Sequence, residues 1–323
     1  MITTSKVANG FVCAGVLSMS SSSGDLLADR RYEWGAGALK DRDFEGAADL
    51  FQQVIEIAPQ WAAAYLSLGD ALMGLGDPAG AQIAWGDAAR LDPSGVLGAA
   101  LKIAASGAGR APASAPREYV RALFDEYAPR FDQHLREKLS YRGPELIFAA
   151  IERACQITGR EFWFDRALDL GCGTGLMAAQ LWKRVDSMNG CDLSPVMIEG
   201  AQLSGKYSNL SVADVCDYLV SQGENSSDLV VAADVFVYIG DLEHLFAQSA
   251  RVVEPGGLFA FSVQRGEGAE WSLGPDLRYA HSRAYIARLA SEYGFTIAVL
   301  EDASTRKDAG VEVPGLVAIL SRA

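Results

Sequence analysis

The sequence is short of the side chains from which metal centres and proton relays are most often built. Only three histidines occur in 323 residues, and the five cysteines form no CxxC pair and have no histidines near them at metal-ligand spacing. Structural zinc and a disulfide scaffold are therefore not expected, and a reduced, cytoplasmic chain is. Bases are also in deficit. Against 41 Asp and Glu stand 28 Lys and Arg, a net charge of -13, with acids in surplus on both sides of Arg110. Affinity for nucleic acid rests mainly on Lys and Arg neutralising phosphates, so no nucleic-acid partner is expected. No apolar run after the N-terminus reaches the length needed to span a bilayer, so no membrane partner is expected either. At the N-terminus, Lys6 precedes VANGFVCAGVLS, a run of signal-peptide length. Asn9 and Gly10 interrupt it, no small-x-small cleavage site follows, and Val12 before Cys13 breaks a lipoprotein signal. Residues 1–24 are read as a disordered leader, with Met19 as an alternative start.

What the chain does have is apolar surface, 50% of its residues, in a length that suggests two domains. A 34-residue period runs through the first hundred positions. Aligning Pro59 with Pro93 superimposes Gly35 on Gly69, Ala47 on Ala81, Phe51 on Trp85 and Ile57 on Leu91. Small residues at such positions let two antiparallel helices approach, the aromatic fills the gap between neighbouring pairs, and proline ends the second helix. The pattern resembles the tetratricopeptide repeat family, with two unrelated helical hairpins as the alternative. Residues 25–105 are therefore expected to hold two repeats and a capping helix over Val96 to Ala105, since Ile103 occupies the next glycine position and no second helix follows. Ser106 to Pro116, SGAGRAPASAP, reads as a linker. Trp34, Trp61, Tyr65 and Trp85 are expected in the helical core, because one face of every repeat helix must be buried, with anchors for a bound peptide as the alternative. The resemblance implies a short module for docking a protein partner or for self-association.

Beyond the linker, over residues 117–323, strand and helix signals alternate. Strands are predicted over 166–170, 187–194, 210–214, 228–234 and 258–264, with two more over 295–302 and 313–321. Helices are predicted over 175–185, 195–203, 241–253 and 283–294, the second with Pro195 in its first turn. Such alternation implies an α/β fold with a parallel sheet covered on both faces, its ligand at the carboxyl ends of the strands.

The first predicted strand runs into LDLGCGTG, Leu168 to Gly175. Gly171, Gly173 and Gly175 spell GxGxG, not the GxGxxG of dinucleotide binders, and Asp169 precedes them by two. A carboxylate there is unwelcome beside phosphate and welcome beside an ammonium group. The run resembles the first motif of class I S-adenosylmethionine-dependent methyltransferases. Asp192, 21 residues after Gly171, matches the ribose-binding acid of that family; a nicotinamide fold places an acid similarly. Asp214 matches the adenine-contacting acid, and Glu254 to Gly257, EPGG, matches the turn before the fifth strand. The resemblance implies a Rossmann-like, seven-stranded methyltransferase domain with S-adenosylmethionine as cofactor. It implies a binding set of Asp169, Gly171, Cys172, Gly173, Gly175, Asp192, Leu193, Asp214, Val215, Asp234 and Tyr127. The thiols of Cys172 and Cys191 read as small buried groups.

Arg117 to Leu135 contains FDEYAPRFD, which resembles the lid helix of small-molecule methyltransferases, with Phe124, Tyr127 and Phe131 at helical spacing. Tyr127 brings a hydroxyl, and Tyr141 is a weaker candidate of the same kind. Repeats, lid and domain together resemble bacterial proteins described as predicted tetratricopeptide-containing methyltransferases. In-line methyl transfer needs a base only when the acceptor begins protonated. His281 is the candidate base, with Ser282 or His281 as the start of a helix its structural alternative. His244 is expected to face solvent or cap a helix, and His134 follows the lid. Tyr127, Tyr238 and Asp234 are expected on the acceptor side. The fourth strand lacks the [DN]PP[YF] signature of exocyclic-amine enzymes, there is no PCQ-like cysteine, and the paired-glutamate loop of arginine methyltransferases is missing. Three readings remain: methylation of an O or N atom on a small-molecule acceptor, methylation of a protein recruited by the repeats, or a cofactor-binding scaffold without chemistry. No metal is expected.

Overall fold

A computed structural model describes residues 22–128, 141–268, 270–308 and 310–323. Most of the expected leader, with Cys13 and Met19, lies outside the described residues, as do Phe131 and His134. The chain divides into two units, one running to Glu126 and including 273–277, the other comprising 127–272 and 278–323. No helix among the described residues is long and apolar enough to cross a membrane.

The first unit is built from α1 (Leu26–Lys40), α2 (Phe44–Ile57), α3 (Ala62–Gly74), α4 (Pro78–Leu91) and a short α5 (Ala99–Ala105). Asp43 caps α2 by accepting from the Gly46 N–H, and Asp77 caps α4 by accepting from the Gly80 N–H. These two caps stand one 34-residue period apart. The same period governs packing. A Cβ at Gly35 would come within 2.8 Å of the Phe51 ring, one at Gly69 would collide with the Trp85 ring, and Ala47 and Ala81 are fully enclosed. Trp61 tilts onto Tyr32 at 4.6 Å between centroids, and Trp85 is buried. Trp34 departs from expectation, with 61% of its surface exposed. Ala28, Tyr32 and Gly35 form the buried stripe of α1, at i, i+4 and i+7, and Trp34 lies off that stripe. The capping helix begins at Ala99, later than expected, because Gly98 adopts a left-handed φ of 70°. Helix α6 (Arg117–Tyr127) leads out of this unit.

The second unit opens with α7 (Gly143–Thr158). The main path of its sheet has the order β3 (Asn209–Val212), β2 (Val185–Asp192), β1 (Phe164–Leu170), β4 (Ser227–Ala232), β5 (Val253–Arg265), β11 (Gly315–Arg322), β8 (Phe295–Asp302). Seven strands lie on this path. Short β6 (Trp271–Leu273) and β7 (Tyr279–His281) join it through β5, and β9 (Lys307–Asp308) pairs with β10 (Val311–Glu312) separately. The first five strands are parallel, whereas β11 runs antiparallel to both β5 and β8. No crossover helix separates β8 from β11, so these neighbours cannot be parallel. Along β4, Leu229 and Val231 pack on one face with α7 and α8 (Leu176–Leu181). Val230 and Ala232 pack on the other with α10 (Val215–Ser221), α11 (Glu243–Val252) and α12 (Arg283–Glu292).

Several predicted boundaries move, three of them beside the glycine loop and its acids. Helix α8 ends at Leu181 rather than 185, because Val185 is already paired with Phe164 in the sheet. EPGG lies inside β5, with Gly256 at φ 79° and a register shift against β4. Strand β3 stops at Val212, and Asp214 caps α10.

Candidate active site

The glycine loop joins β1 to α8 and takes three left-handed turns. Gly171, Gly173 and Gly175 have φ of 65°, 53° and 94°, which explains their alternate spacing: each supplies a conformation that L side chains avoid. At Gly171 space is also absent, since a Cβ there would stand 2.5 Å from Val235 Cγ2. The Cys172 N–H donates to the Cys191 carbonyl at 2.9 Å, tying the loop to the end of β2.

Three acids stand around this loop. Asp192 is nearly buried; its Oδ2 accepts from the Gly173 N–H at 3.0 Å and its Oδ1 from the Ser194 N–H at 2.9 Å. It thus fixes the loop to the start of α9 (Pro195–Leu203), with Leu193 half-buried beside it. Asp169 is 1% exposed, and its Oδ2 accepts from the Tyr207 hydroxyl at 2.6 Å. Burial pushes this carboxyl up to about 7 and the negative charge of Asp192 adds to the rise, while the tyrosine hydrogen bond opposes it. Asp214 is half-buried and accepts from the N–H groups of Cys216 and Asp217. Its neighbour Val215 points into the core, so the polar groups of that pair belong to Asp214. Burial raises the thiols of Cys172 and Cys191 far above their ordinary range, so both stay protonated.

Past β4 the chain builds a second cluster. Asp234 has φ 55°, and its N–H donates to Ser262 Oγ at 2.8 Å. Its carboxylate accepts from Ser262 at 2.7 Å and Thr305 at 2.9 Å, and pairs with Arg306 at 3.6 Å. These contacts occupy Asp234 with joining β4, β5 and the 305–306 segment, where sequence reasoning had expected a ligand contact. Tyr238 lies in a 3-10 turn, Phe236–Tyr238, with the Arg278 guanidinium 5.8 Å from its ring centroid. Tyr127 lies within electrostatic reach of both, and burial holds its phenol well above the usual range. The fold therefore gathers Tyr127 and Tyr238 around Arg278. Tyr141 is within electrostatic reach of both Asp169 and Asp234.

His281 requires a correction. It lies in β7, fully enclosed, its Nε2 3.0 Å from the Gly240 carbonyl and its ring stacked on Tyr285. Burial lowers its pKa to about 4, which removes it as a proton acceptor near neutral pH. Ser282, not His281, caps α12, accepting from the Tyr285 N–H. His244 is exposed on α11. Sequence reasoning missed Tyr207, Arg278, Thr305 and Arg306. Only Tyr207 left a signal, in Gly175 and Gly190, which vacate the space its ring fills.

The glycine loop and flanking acids invite comparison with known proteins. Residues 168–261 match the family model described as methyltransferase domain. This segment is similar to methyltransferase domains. Over 104 residues the chain is 32% identical to a ubiquinone biosynthesis O-methyltransferase of Chelativorans sp. (strain BNC1), covering 31% of this chain and 41% of that protein. Over 145 residues it is 30% identical to the Homo sapiens methyltransferase-like protein 27, covering 44% and 56%. The chain thus spans about half the length of these relatives. Among solved structures it is similar to magnesium protoporphyrin IX methyltransferase from Synechocystis PCC 6803 with bound S-adenosylmethionine. That likeness has 17% identity and a TM-score of 0.49, over 64% of this chain and 97% of the other.

The site suits that cofactor on its own chemistry. Glycine-rich loop backbone and acids at or just past the ends of three adjacent parallel strands offer close approach and acceptors to a cationic, hydroxyl-bearing nucleoside.

Proposed function

We propose that the protein transfers a methyl group from S-adenosylmethionine to an O or N atom of a small-molecule acceptor. The observation that supports this reading is that two clusters lie past the carboxyl ends of parallel strands: the glycine loop after β1 with Asp169, Asp192 and Asp214, and Tyr238, after β4, with Arg278 and Tyr127 around it. The bound cofactor would supply a methyl group on a sulfonium. Asp169 would face its ammonium end, Asp192 and Leu193 its ribose, Asp214 and Val215 its adenine, and Gly171 to Gly175 with Cys172 would pass beneath it.

On the acceptor side the chain's contribution is positioning, an effect worth up to about 7–11 kcal/mol in well-oriented reactions. Tyr127 keeps its proton through the neutral range, so it serves as a donor that orients the acceptor rather than as a base. Asp234 acts at one remove, holding β4 and β5 together under this cluster.

The N-terminal helices are proposed as two tetratricopeptide-like repeats with a cap, a unit for docking or self-association. The shared period of caps and glycine–aromatic pairs supports this. The buried thiols of Cys155, Cys172 and Cys191, none in a disulfide, accord with a cytoplasmic setting. The test is a screen of metabolite and protein extracts with labelled methyl donor, using Asp192→Ala as control. Label appearing in small molecules with wild type alone supports the reading; label confined to a protein overturns the small-molecule acceptor; failure of wild type to bind the donor overturns the whole.

A further inference from the structure

The segment between α9 and β3 carries one side chain that no motif of the site asks for. Tyr207 lies 38 residues beyond Asp169, yet its ring fits under two glycines. A Cβ at Gly175 would approach Cε2 at 3.1 Å, and one at Gly190 would approach Cε1 at 2.9 Å. Gly190 is the register partner of Asp169 across β1 and β2, so the room it leaves is beside that acid. Through this gap the hydroxyl reaches Asp169 Oδ2 at 2.6 Å, within the range of strong O–H to carboxylate bonds. Among the described residues no other group donates to this carboxylate. An acid so enclosed is costly to keep charged without a donor.

We propose that Tyr207 is a positioning residue for cofactor binding, holding one Asp169 oxygen so that the other is presented as a fixed acceptor for the ammonium of the cofactor's amino-acid end. The inference rests on the methyltransferase reading. The titratable groups facing Asp169 are Asp192, Cys172 and Cys191 around the loop, Tyr141 ahead of α7 and Tyr218 on α10, besides Tyr207 itself. None is a cation. The tyrosine hydrogen bond therefore favours the ionised acid against burial and against Asp192.

The test uses the full chain, wild type and Tyr207→Phe, with two probes titrated calorimetrically across the neutral pH range. S-adenosylhomocysteine carries the ammonium; 5′-methylthioadenosine lacks the amino-acid end. Tyr207→Phe keeps the ring and removes only the hydroxyl. Affinity for S-adenosylhomocysteine should fall about tenfold or more, and its pH midpoint should move upward, while 5′-methylthioadenosine binds as before. An unchanged affinity and pH profile, an equal loss for both probes, or a variant that does not fold would each overturn the proposal. A second reading works without any ligand: the Asp169 carboxyl band, assigned by infrared difference against Asp169→Asn, should titrate higher in Tyr207→Phe. If wild type binds neither probe while that band shifts as expected, the cofactor reading has failed and takes the positioning role with it. If the probes bind and the band does not move, only the role of Tyr207 has failed.

Discussion

Glycine serves two different purposes in the two units. In the helical unit, Gly35 and Gly69 lie in ordinary helix, and what they contribute is the missing Cβ opposite Phe51 and Trp85. In the loop after β1, Gly171, Gly173 and Gly175 contribute left-handed backbone, whatever lies opposite them. A glycine needed for space can be replaced if its neighbour shrinks. A glycine needed for conformation cannot. The repeat can therefore drift by paired substitutions, while the loop holds its pattern residue by residue.

Gly171→Ala is the most severe way to probe this contrast, because both requirements meet there. Left-handed strain of about 1–3 kcal/mol adds to an overpacking cost of about 1–3 kcal/mol from the approach to Val235. Denaturant titration should show the sum as lost stability of the α/β unit. Adding Val235→Ala should recover only the overpacking part; full recovery would mean that the loop glycine, too, works by space alone.

A second contrast concerns buried acids. Asp43 and Asp77 of the helical unit cap helices at exposed ends, whereas Asp169 is enclosed and pushed up to about 7. Its folded-state pKa lies above its ordinary 3.8, so the folded chain binds this proton more readily than the unfolded one. Stability of the ligand-free α/β unit should be greatest below the ordinary pKa and should fall as pH rises towards 7, then level off. The ceiling is on the order of 4 kcal/mol. Asp169→Asn should flatten that part of a stability–pH curve measured by chemical denaturation, and an unchanged slope would show that Asp169 is not the group responsible.

Gly69→Ala should cost less. Collision with Trp85 is worth about 1–3 kcal/mol, and the gain in helix propensity returns about 1 kcal/mol. Pairing it with Trp85→Leu should cancel the collision, which a double-mutant cycle on the helical melt would read as coupling between the two sites. Additive losses would show that Gly69 is not there to admit the ring.

What was legible in the sequence follows the same division. The 34-residue period could be read because Gly35, Phe51, Gly69 and Trp85 each meet a partner one turn of the hairpin away. The GxGxG run and Asp192 could be read because the loop's backbone conformation is written in adjacent residues. Tyr207 left only the indirect signal of Gly175 and Gly190, since its partner is 38 positions distant and is reached through the space those glycines vacate. Thr305 and Arg306 reach Asp234 from the segment that follows β8, and no periodicity announces them. His281 misled because its local sequence gives chemistry without burial; the packing of β7 on β5 and of Tyr285 on its ring takes away its proton affinity. Helix α8 is shorter than its sequence suggests for a related reason: helical spacing continues through Trp182 to Val185, but pairing with β1 claims Val185 for the sheet.

The smallest expected effect is at Trp34, and it tests the helical unit's surface rather than its core. With 61% of its area exposed and the buried stripe of α1 carried by Ala28, Tyr32 and Gly35, Trp34 contributes little to folding, so Trp34→Ala should shift stability by no more than about 0.5 kcal/mol. A larger loss would place Trp34 in the core after all and break the assignment of the stripe. The same variant separates folding from docking, since a large apolar side chain kept in water on a repeat unit is useful to a partner and not to the fold. If the unit self-associates through α1, sedimentation of Trp34→Ala should show a lighter species than wild type at equal concentration and equal melting temperature. Unchanged sedimentation of an associated wild type would remove this face of α1 from the association.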